Sequence, residues 1–524
     1  MPTEEWAFCF GALLLVRLPV SRTSENLVPV LTAEQARAEE ENAFRQASVS
    51  DRVVLESAGR AVAHAVAAHF PDGRVVAAVG KGKNGADALV ALRTLRAWGR
   101  DVAAVPVGGL QLPPDLLHGW TIPLESIDAL GSAAVALDGL LGTGASGPPR
   151  AGMEPVIRAL NASTAPVVAI DGPTGVDLST GRATSVAVEA TMTVTFGGLK
   201  RGLVLHPGRR LAGRILVAEI GLPPHSASLG SVPRAITRKW AAAHLPALPP
   251  DAYKTLAGIV TVVAGRTGMG GAAIMTAMGA LRAGAGGVRV ISTESNRSPI
   301  HAAVPEAVFF DRADNDAFEA LTGSAAVVIG PGIGADEAGY QLLEAVLARF
   351  AGPTVIDADA ITLIAGAPSM LDSVRRESLI LTPHPGELAR LLSVDTADVL
   401  GDRFHAADEV SSRLRSTVLS KGSPSIVSSP GEPPLVSLTG HSGVATGGMG
   451  DTLAGIVAAF AAAGATPRMA AALGIHFAGA AAEEAGLGRG LLPRDVAEAL
   501  PTVLLRQQAK SPMPPFILDL PAPF

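Results

Sequence analysis

Cysteine is nearly absent from this 524-residue chain; Cys9 is the only one. That excludes an intrachain disulfide and a thiolate metal cluster, argues against redox chemistry at sulfur, and makes a reducing cytoplasm the expected compartment. Charge is scarce as well: Asp, Glu, Lys and Arg supply 17% of residues, the formal net charge is -6, and no run of five or more Lys/Arg occurs. Such a balance offers no attraction for nucleic acid or an anionic membrane, so small molecules are the expected partners. Long hydrophobic runs are missing too. AFCFGALLLV at 7–16 follows Glu4 and Glu5 instead of a basic stretch, and it is far shorter than the roughly twenty residues that cross a bilayer. Export is therefore not expected, and residues 1–29 read as an extension of unknown role. No internal repeat links the two halves.

What is abundant is Ala, Gly and apolar sequence, with hydrophobic residues at 48%. The length predicts at least two globular domains. Over 30–221, short apolar runs alternate with helical stretches: RVVAAVG (74–80), ADALVALRTLRAWG (86–99), DVAAVPV (101–107), AAVALD (133–138), PVVAID (166–171) and RILVAEI (214–220). Runs of this length between helices predict a parallel sheet covered on both faces, a doubly wound, Rossmann-like three-layer α/β domain. Residues 222–249, rich in Pro and Ser, read as a linker. The alternation restarts with GIVTVVAG (258–265) and continues through VRVIS (288–292), AAVVIG (325–330), PTVIDAD (353–359) and SLILT (378–382), predicting a second α/β domain over 250–510. The tail 511–524, with its prolines, reads as an extended strap or as disordered.

Ligands of open α/β sheets sit beyond the carboxyl ends of the strands, which gives weight to side chains ending them. GKGKNGADAL (80–89) is a glycine-containing turn suited to phosphate at a helix N-terminus, LDGLLGTGASG (137–147) opens with Asp138, and DGPTGVD (171–177) opens with Asp171. Either carboxylate alone reads equally well as a helix cap. Together with Asn84 and Thr174 they suggest an oxygen-lined site for a hard cation, with no His or Cys for a transition metal.

These segments, with LTAEQARAEE, VLESAGRAVA and FGGLKRGLVLHPG (196–208), make residues 30–221 resemble the NAD(P)H-hydrate epimerase domain of bifunctional NAD(P)H-hydrate repair enzymes. The resemblance implies substrate contacts from Lys83, Asn84, Gly85, Ala86 and Asp87, and from Gly142, Thr143, Gly144, Ala145, Ser146, Gly147 and Pro148. It implies potassium held by Asn84, Asp138 and Thr174, and substrate binding with acid–base catalysis at Asp171. One departure stands out: Lys83-Asn84-Gly85-Ala86-Asp87-Ala88 replaces the usual Asn-Asn-Gly-Gly-Asp-Gly. Its alanines add methyl groups where backbone is expected to approach ligand or adopt positive φ. Lys200 is a further candidate, as readable as a solvated surface lysine.

In the second half, TGGMGD precedes a long apolar helix starting near Gly448, where backbone N–H groups and the helix dipole favour an anion. Asp451 at that spot suits phosphoryl transfer: amides hold the phosphoryl group while the carboxylate takes a hydroxyl proton. The Gly-x-Gly-Asp loop resembles the ribokinase-like superfamily. GGAAIMTAMGALRAGAGGVRV (270–290), IGPGIG (329–334), DADA (357–360), LTPHPGE (381–387), KGSPSIV (421–427) and ATGGMGDTLAG (445–455) narrow it to ADP-dependent NAD(P)H-hydrate dehydratase.

That resemblance implies Ala272, Gly332, His384 and Asp451 at the hydrate, and Lys421, Gly422, Ser423, Pro424, Ser425 and Gly450 at the nucleotide. It also implies Asp451 as catalytic base, ADP as co-substrate, magnesium in this domain, NADHX and NADPHX as substrates, and a homo-oligomer. Pro424 departs from the family pattern by removing a backbone N–H. From the residues alone, a ribokinase-like vitamin-precursor kinase with a regulatory N-terminal domain stays open, as does a non-catalytic nucleotide sensor.

Overall fold

A computed structural model describes residues 27–46, 49–109, 114–145, 147–223, 229–247, 257–506 and 514–523. The apolar run at 7–16 and Ser146 lie outside them. The chain builds two large, mostly parallel sheets with helices on both faces, so the doubly wound α/β architecture occurs twice.

The smaller sheet orders its seven strands as Phe516–Leu520, Arg214–Ala218, Met192–Phe196, Val167–Ile170, Val135–Gly139, Val75–Val79 and Val102–Pro106. All pair in parallel except the first, which is antiparallel to Arg214–Ala218. Met192–Phe196 was not legible as a strand because threonines interrupt its apolar run. Both hydroxyls are spent inside the fold, Thr193 Oγ1 donating to Ala212 O at 2.7 Å and Thr195 Oγ1 to Asp171 Oδ1 at 3.2 Å.

The larger sheet has twelve strands. Its parallel core runs Ala307–Asp311, Gly287–Ser292, Ile259–Val263, Ala326–Ile329, Thr354–Ile356, Leu379–Leu381 and Thr417–Ser420. Ser425–Ser429 and Glu432–Ser437 follow as an antiparallel extension. The sheet then continues through Arg234–Ala235, Val28–Leu31 and Leu199–Lys200.

Two segments outside the expected domains carry regular structure. The 222–249 segment contains the Arg234–Ala235 strand and the helix Arg238–His244, whose Trp240 is 2% exposed, so its described part is built into the larger sheet. Its two-residue strand is too short to show any periodicity. The described tail is a sheet strand whose Asp519 pairs with Arg214 at 2.6 Å. Proline spared Phe516–Leu520 itself, and an edge position tolerates the prolines around it. Both halves share an apolar core in which Val28, Leu199 and Leu203 pack with Phe404, Ile426 and Val436.

The abundant Ala and Gly serve close helix packing. Helices Gly270–Arg282 and Met449–Ala462 cross where a Cβ on Gly455 would overlap the Thr276 carbonyl and one on Gly279 would overlap the Thr452 carbonyl. That crossing fixes the N-terminus of Met449–Ala462 relative to the sheet.

Candidate active sites

In the N-terminal half, strand ends and the first turn of Lys83–Ala97 meet. Asp138 ends its strand fully buried, 0% exposed, accepting from Thr174 N at 2.8 Å, Thr174 Oγ1 at 2.8 Å and Leu140 N at 3.3 Å. These donors are neutral, and burial pushes its carboxyl up to about 6. Leu141 N donates to Thr174 Oγ1 at 3.1 Å. Asn84 Oδ1 and Asp171 Oδ2 both crowd Gly142, lying 2.9 and 3.0 Å from where a Cβ would stand, so only glycine leaves both side chains in place. Asn84 Nδ2 is buried without a hydrogen-bond partner among the described residues.

Asp171 adopts φ 65°, a left-handed conformation unusual for a non-glycine residue. Its Oδ2 accepts from Thr143 N at 2.9 Å and its Oδ1 lies 2.7 Å from Lys200 Nζ. Burial works to raise its pKa, but Lys200 and the Thr143 hydrogen bonds outweigh that and hold the carboxyl below its ordinary value. Lys200 is 1% exposed and also donates to Phe196 O at 2.7 Å, which rules out the solvated-lysine reading. Asp87 is buried nearby and raised well above its ordinary value by burial, Asp171 and Glu40. Lys83 points outward to Glu40 at 3.5 Å and over the Phe44 ring.

Ala86 and Ala88 lie within the helix, outside the positive-φ set, and Ala88 is packed in the core. The positive-φ strain considered for these alanines is therefore absent, because this turn enters the helix at Lys83. Gly142, Ala145, Gly147 and Pro148 line a cavity of about 210 Å³ together with Pro173, Gly175 and Val176.

In the C-terminal half, Gly448 caps helix Met449–Ala462 at φ 85°, and Asp451 lies in its first turn. Met449 N donates to Thr446 O and Thr452 N to Gly448 O. Helix geometry leaves Gly450 and Asp451 as the other amides of that turn. Lys421 Nζ stands 3.2 Å from where a Gly450 Cβ would lie, 2.7 Å from Asp357 Oδ1 and 3.9 Å from Glu387 Oε2. Asp357 and Glu387 thus stand within 4 Å of one ammonium, and Asp451 acts on it electrostatically. Burial first, then Asp357, pushes the Asp451 carboxyl up to about 6, with Lys421 opposing; burial likewise raises Glu387.

His384 caps helix Pro385–Leu392 through Nδ1, which accepts from Gly386 N at 3.0 Å, while Glu387 Oε2 accepts from His384 N at 2.8 Å. Burial, Lys421 and Arg390 hold the imidazole below its usual pKa. Since Nδ1 accepts, the proton of the neutral ring sits on Nε2, which lies 3.4 Å from Glu387 Oε1. Gly332 abuts Ala272, whose Cβ is 3.3 Å from the position a Gly332 Cβ would take. The 421–425 loop is held by Lys421 N to Pro383 O at 2.9 Å and by Arg403, which donates to Pro424 O at 2.6 Å and Lys421 O at 3.0 Å. Pro424 thus uses its carbonyl, and Ser425 Oγ closes the turn onto Gly422 O at 2.8 Å.

A family model for NAD(P)H-hydrate dehydratase matches residues 260–502, and one for the YjeF-related protein N-terminus matches 51–202. The bifunctional NAD(P)H-hydrate repair enzyme of Moorella thermoacetica is 34% identical, over 86% of this chain and 92% of its own. The chain belongs to the family of bifunctional NAD(P)H-hydrate repair enzymes. Its Escherichia coli relative in that family is 32% identical, over 85% of this chain and 88% of its own. Among solved structures, the ADP/ATP-dependent NAD(P)H-hydrate dehydratase of Bacillus subtilis is 26% identical with a TM-score of 0.46, covering 52% of this chain and 98% of that one. The dehydratase model spans the Asp451 site; the N-terminal model spans Asn84, Asp138, Asp171 and Lys200.

Sequence reasoning passed over Asp357 and Thr382. Asp357 ends a strand inside the quoted DADA motif and is 1% exposed, with Thr382 Oγ1 donating to its Oδ1 at 2.7 Å. The strand-end rule that picked out Asp138 and Asp171 applied equally to Asp357. Among the described residues, no helix is long and apolar enough to cross a membrane.

Proposed function

We propose that the chain interconverts the R and S forms of NAD(P)H hydrate in its N-terminal half and dehydrates the S form with ADP in its C-terminal half. The observation that carries the reading is Asp451, its carboxyl raised to about 6 at a helix N-terminus facing Lys421. A base with that pKa is ionised at neutral pH yet still takes up a proton readily. Asp451 accepts the proton of the C6 hydroxyl as its oxygen takes the β-phosphoryl group of ADP, releasing AMP. The amides of the helix turn and the Lys421 ammonium offset the charge on the phosphoryl oxygens. The C6–O bond then breaks with departure of inorganic phosphate, which carries off the proton lost from C5 as the C5–C6 double bond re-forms to give NAD(P)H, and the same donors stabilise the departing anion. In the N-terminal half, Asp171 is kept anionic by Lys200 and serves as proton acceptor at the hydrated carbon, while Asn84 Nδ2 is left as a donor toward substrate.

The donor sets suit the implied cations. Asp138 is a fully buried carboxylate whose oxygens meet only neutral donors, and with the Asn84 and Thr174 oxygens it would hold potassium, which supplies the missing positive charge. Asp357 and Glu387 would hold magnesium arriving with the nucleotide, since three carboxylates against one ammonium leave a negative excess; the ion would screen the phosphates.

Separated hydrate epimers, ADP and the purified protein test the reading. The reduced-nicotinamide absorbance returns fully from the S form alone and, through epimerisation, from the R form. Asp451→Asn slows dehydration by about 10²- to 10⁴-fold while ADP still binds; turnover at the wild-type rate would remove Asp451 as the base.

A further inference from the structure

The chain segment that follows Lys200 runs onto the 421–425 loop of the other half. Arg201 lies 3.5 Å from Asp402, its guanidinium 5.2 Å from the centre of the Phe404 ring. Between those two contacts sits Arg403, which grips the Pro424 and Lys421 carbonyls. Farther along, His206 Nε2 lies 3.2 Å from Ser423 Oγ. His206, Gly422 and Ser423 are exposed while Pro424 and Ser425 are buried, so the imidazole stands at the open mouth of the loop. Partial desolvation and the nearby Arg209, Arg210 and Arg403 hold it below its usual pKa. A neutral imidazole offers one donor, one acceptor and a flat face, and the surrounding arginines favour an anionic ligand.

We propose that His206, carried by the N-terminal half, is a binding residue of the dehydratase nucleotide site, meeting a nucleoside diphosphate beside Ser423, with Arg201 a positioning residue that acts through Asp402 and Arg403. The proposal rests on reading 421–425 as the nucleotide loop. It makes the second site a product of both halves: one contributes the loop, the other a wall.

The test is steady-state dehydration of S-hydrate by the full chain with ADP varied. Removing a single neutral hydrogen-bonding side chain corresponds to about a two- to tenfold weakening. His206→Ala should raise the KM for ADP by that factor with kcat within about twofold, the KM for hydrate staying put. His206→Gln, which keeps a group able to reach Ser423, should recover most of the loss. Arg201→Ala should raise the same KM without touching the ligand. Lys421→Ala separates the two readings. If it weakens ADP binding by calorimetry while His206→Ala leaves both KM and affinity unchanged, this inference falls and the nucleotide loop stands. If neither substitution affects ADP, the loop assignment falls with it.

Discussion

At the scale of single residues, carboxylates at the strand ends and helix turn are tuned in opposite directions. Asp171 is buried but matched by Lys200, whereas buried Asp138 and half-buried Asp451 are raised to about 6. Removing the match is costly: Lys200→Met strands an anion in the core and is expected to cost roughly 3–5 kcal/mol in chemical denaturation, with loss of R-to-S conversion. The depressed pKa of Asp171 means its contribution to stability is present above the ordinary carboxylate value and is lost as pH falls through the folded value.

Asp451 behaves in the reverse sense. Its raised pKa costs stability, a cost that builds as pH rises from the ordinary carboxylate value and is complete above about 6. The kcat/KM for dehydration is expected to rise with pH and level off above about 6, a limb absent from the residual activity of Asp451→Asn. For Asp138, potassium should raise the melting temperature more at pH 7.5 than at pH 5, because protonation near about 6 removes the charge the ion matches. Equal shifts at both pH values, measured against an equal concentration of a bulky organic cation, would count against the site.

At the scale of elements, the helix carrying Asp451 is placed by contact with Gly270–Arg282. A helix-interior Gly→Ala change ordinarily gains about 1 kcal/mol from propensity. Gly455→Ala and Gly279→Ala should instead destabilise by about 1–3 kcal/mol, since the new methyl meets a neighbouring backbone carbonyl. Thermal melts check the sign. Strands and helices of this kind were readable where apolar periodicity was continuous, as at Val75–Val79 and Ile259–Val263. They were not where buried hydroxyls broke it, as at Met192–Phe196, or where two residues made a strand, as at Arg234–Ala235. The residues around Asp451 stood out because a glycine-rich turn before a long apolar helix is itself a local pattern. Lys200 was legible only as a candidate that read equally well as a solvated lysine, because its burial depends on Asp171, and only the folded chain brings the two together.

At the scale of the whole molecule, the family relationship covers both halves, yet the sheets do not respect a simple division. Val28–Leu31 and Leu199–Lys200 extend the larger sheet, while Phe516–Leu520 closes the smaller one. Deleting 514–524 removes the Arg214–Asp519 pair and the Arg209 hydrogen bond to Pro521 O, and bares the edge of Arg214–Ala218. The truncated protein is expected to melt earlier in its N-terminal half and to aggregate, measured by differential scanning calorimetry with light scattering.

Arg214 and Asp519 stand 305 residues apart in sequence. Synthesis runs at about 5–20 residues per second. A ribosome therefore holds the smaller sheet one strand short for many seconds after its other strands have emerged, until the whole dehydratase half has left the exit tunnel. Translation timing thus becomes part of how this molecule is put together, with the epimerase half completed last although it is made first.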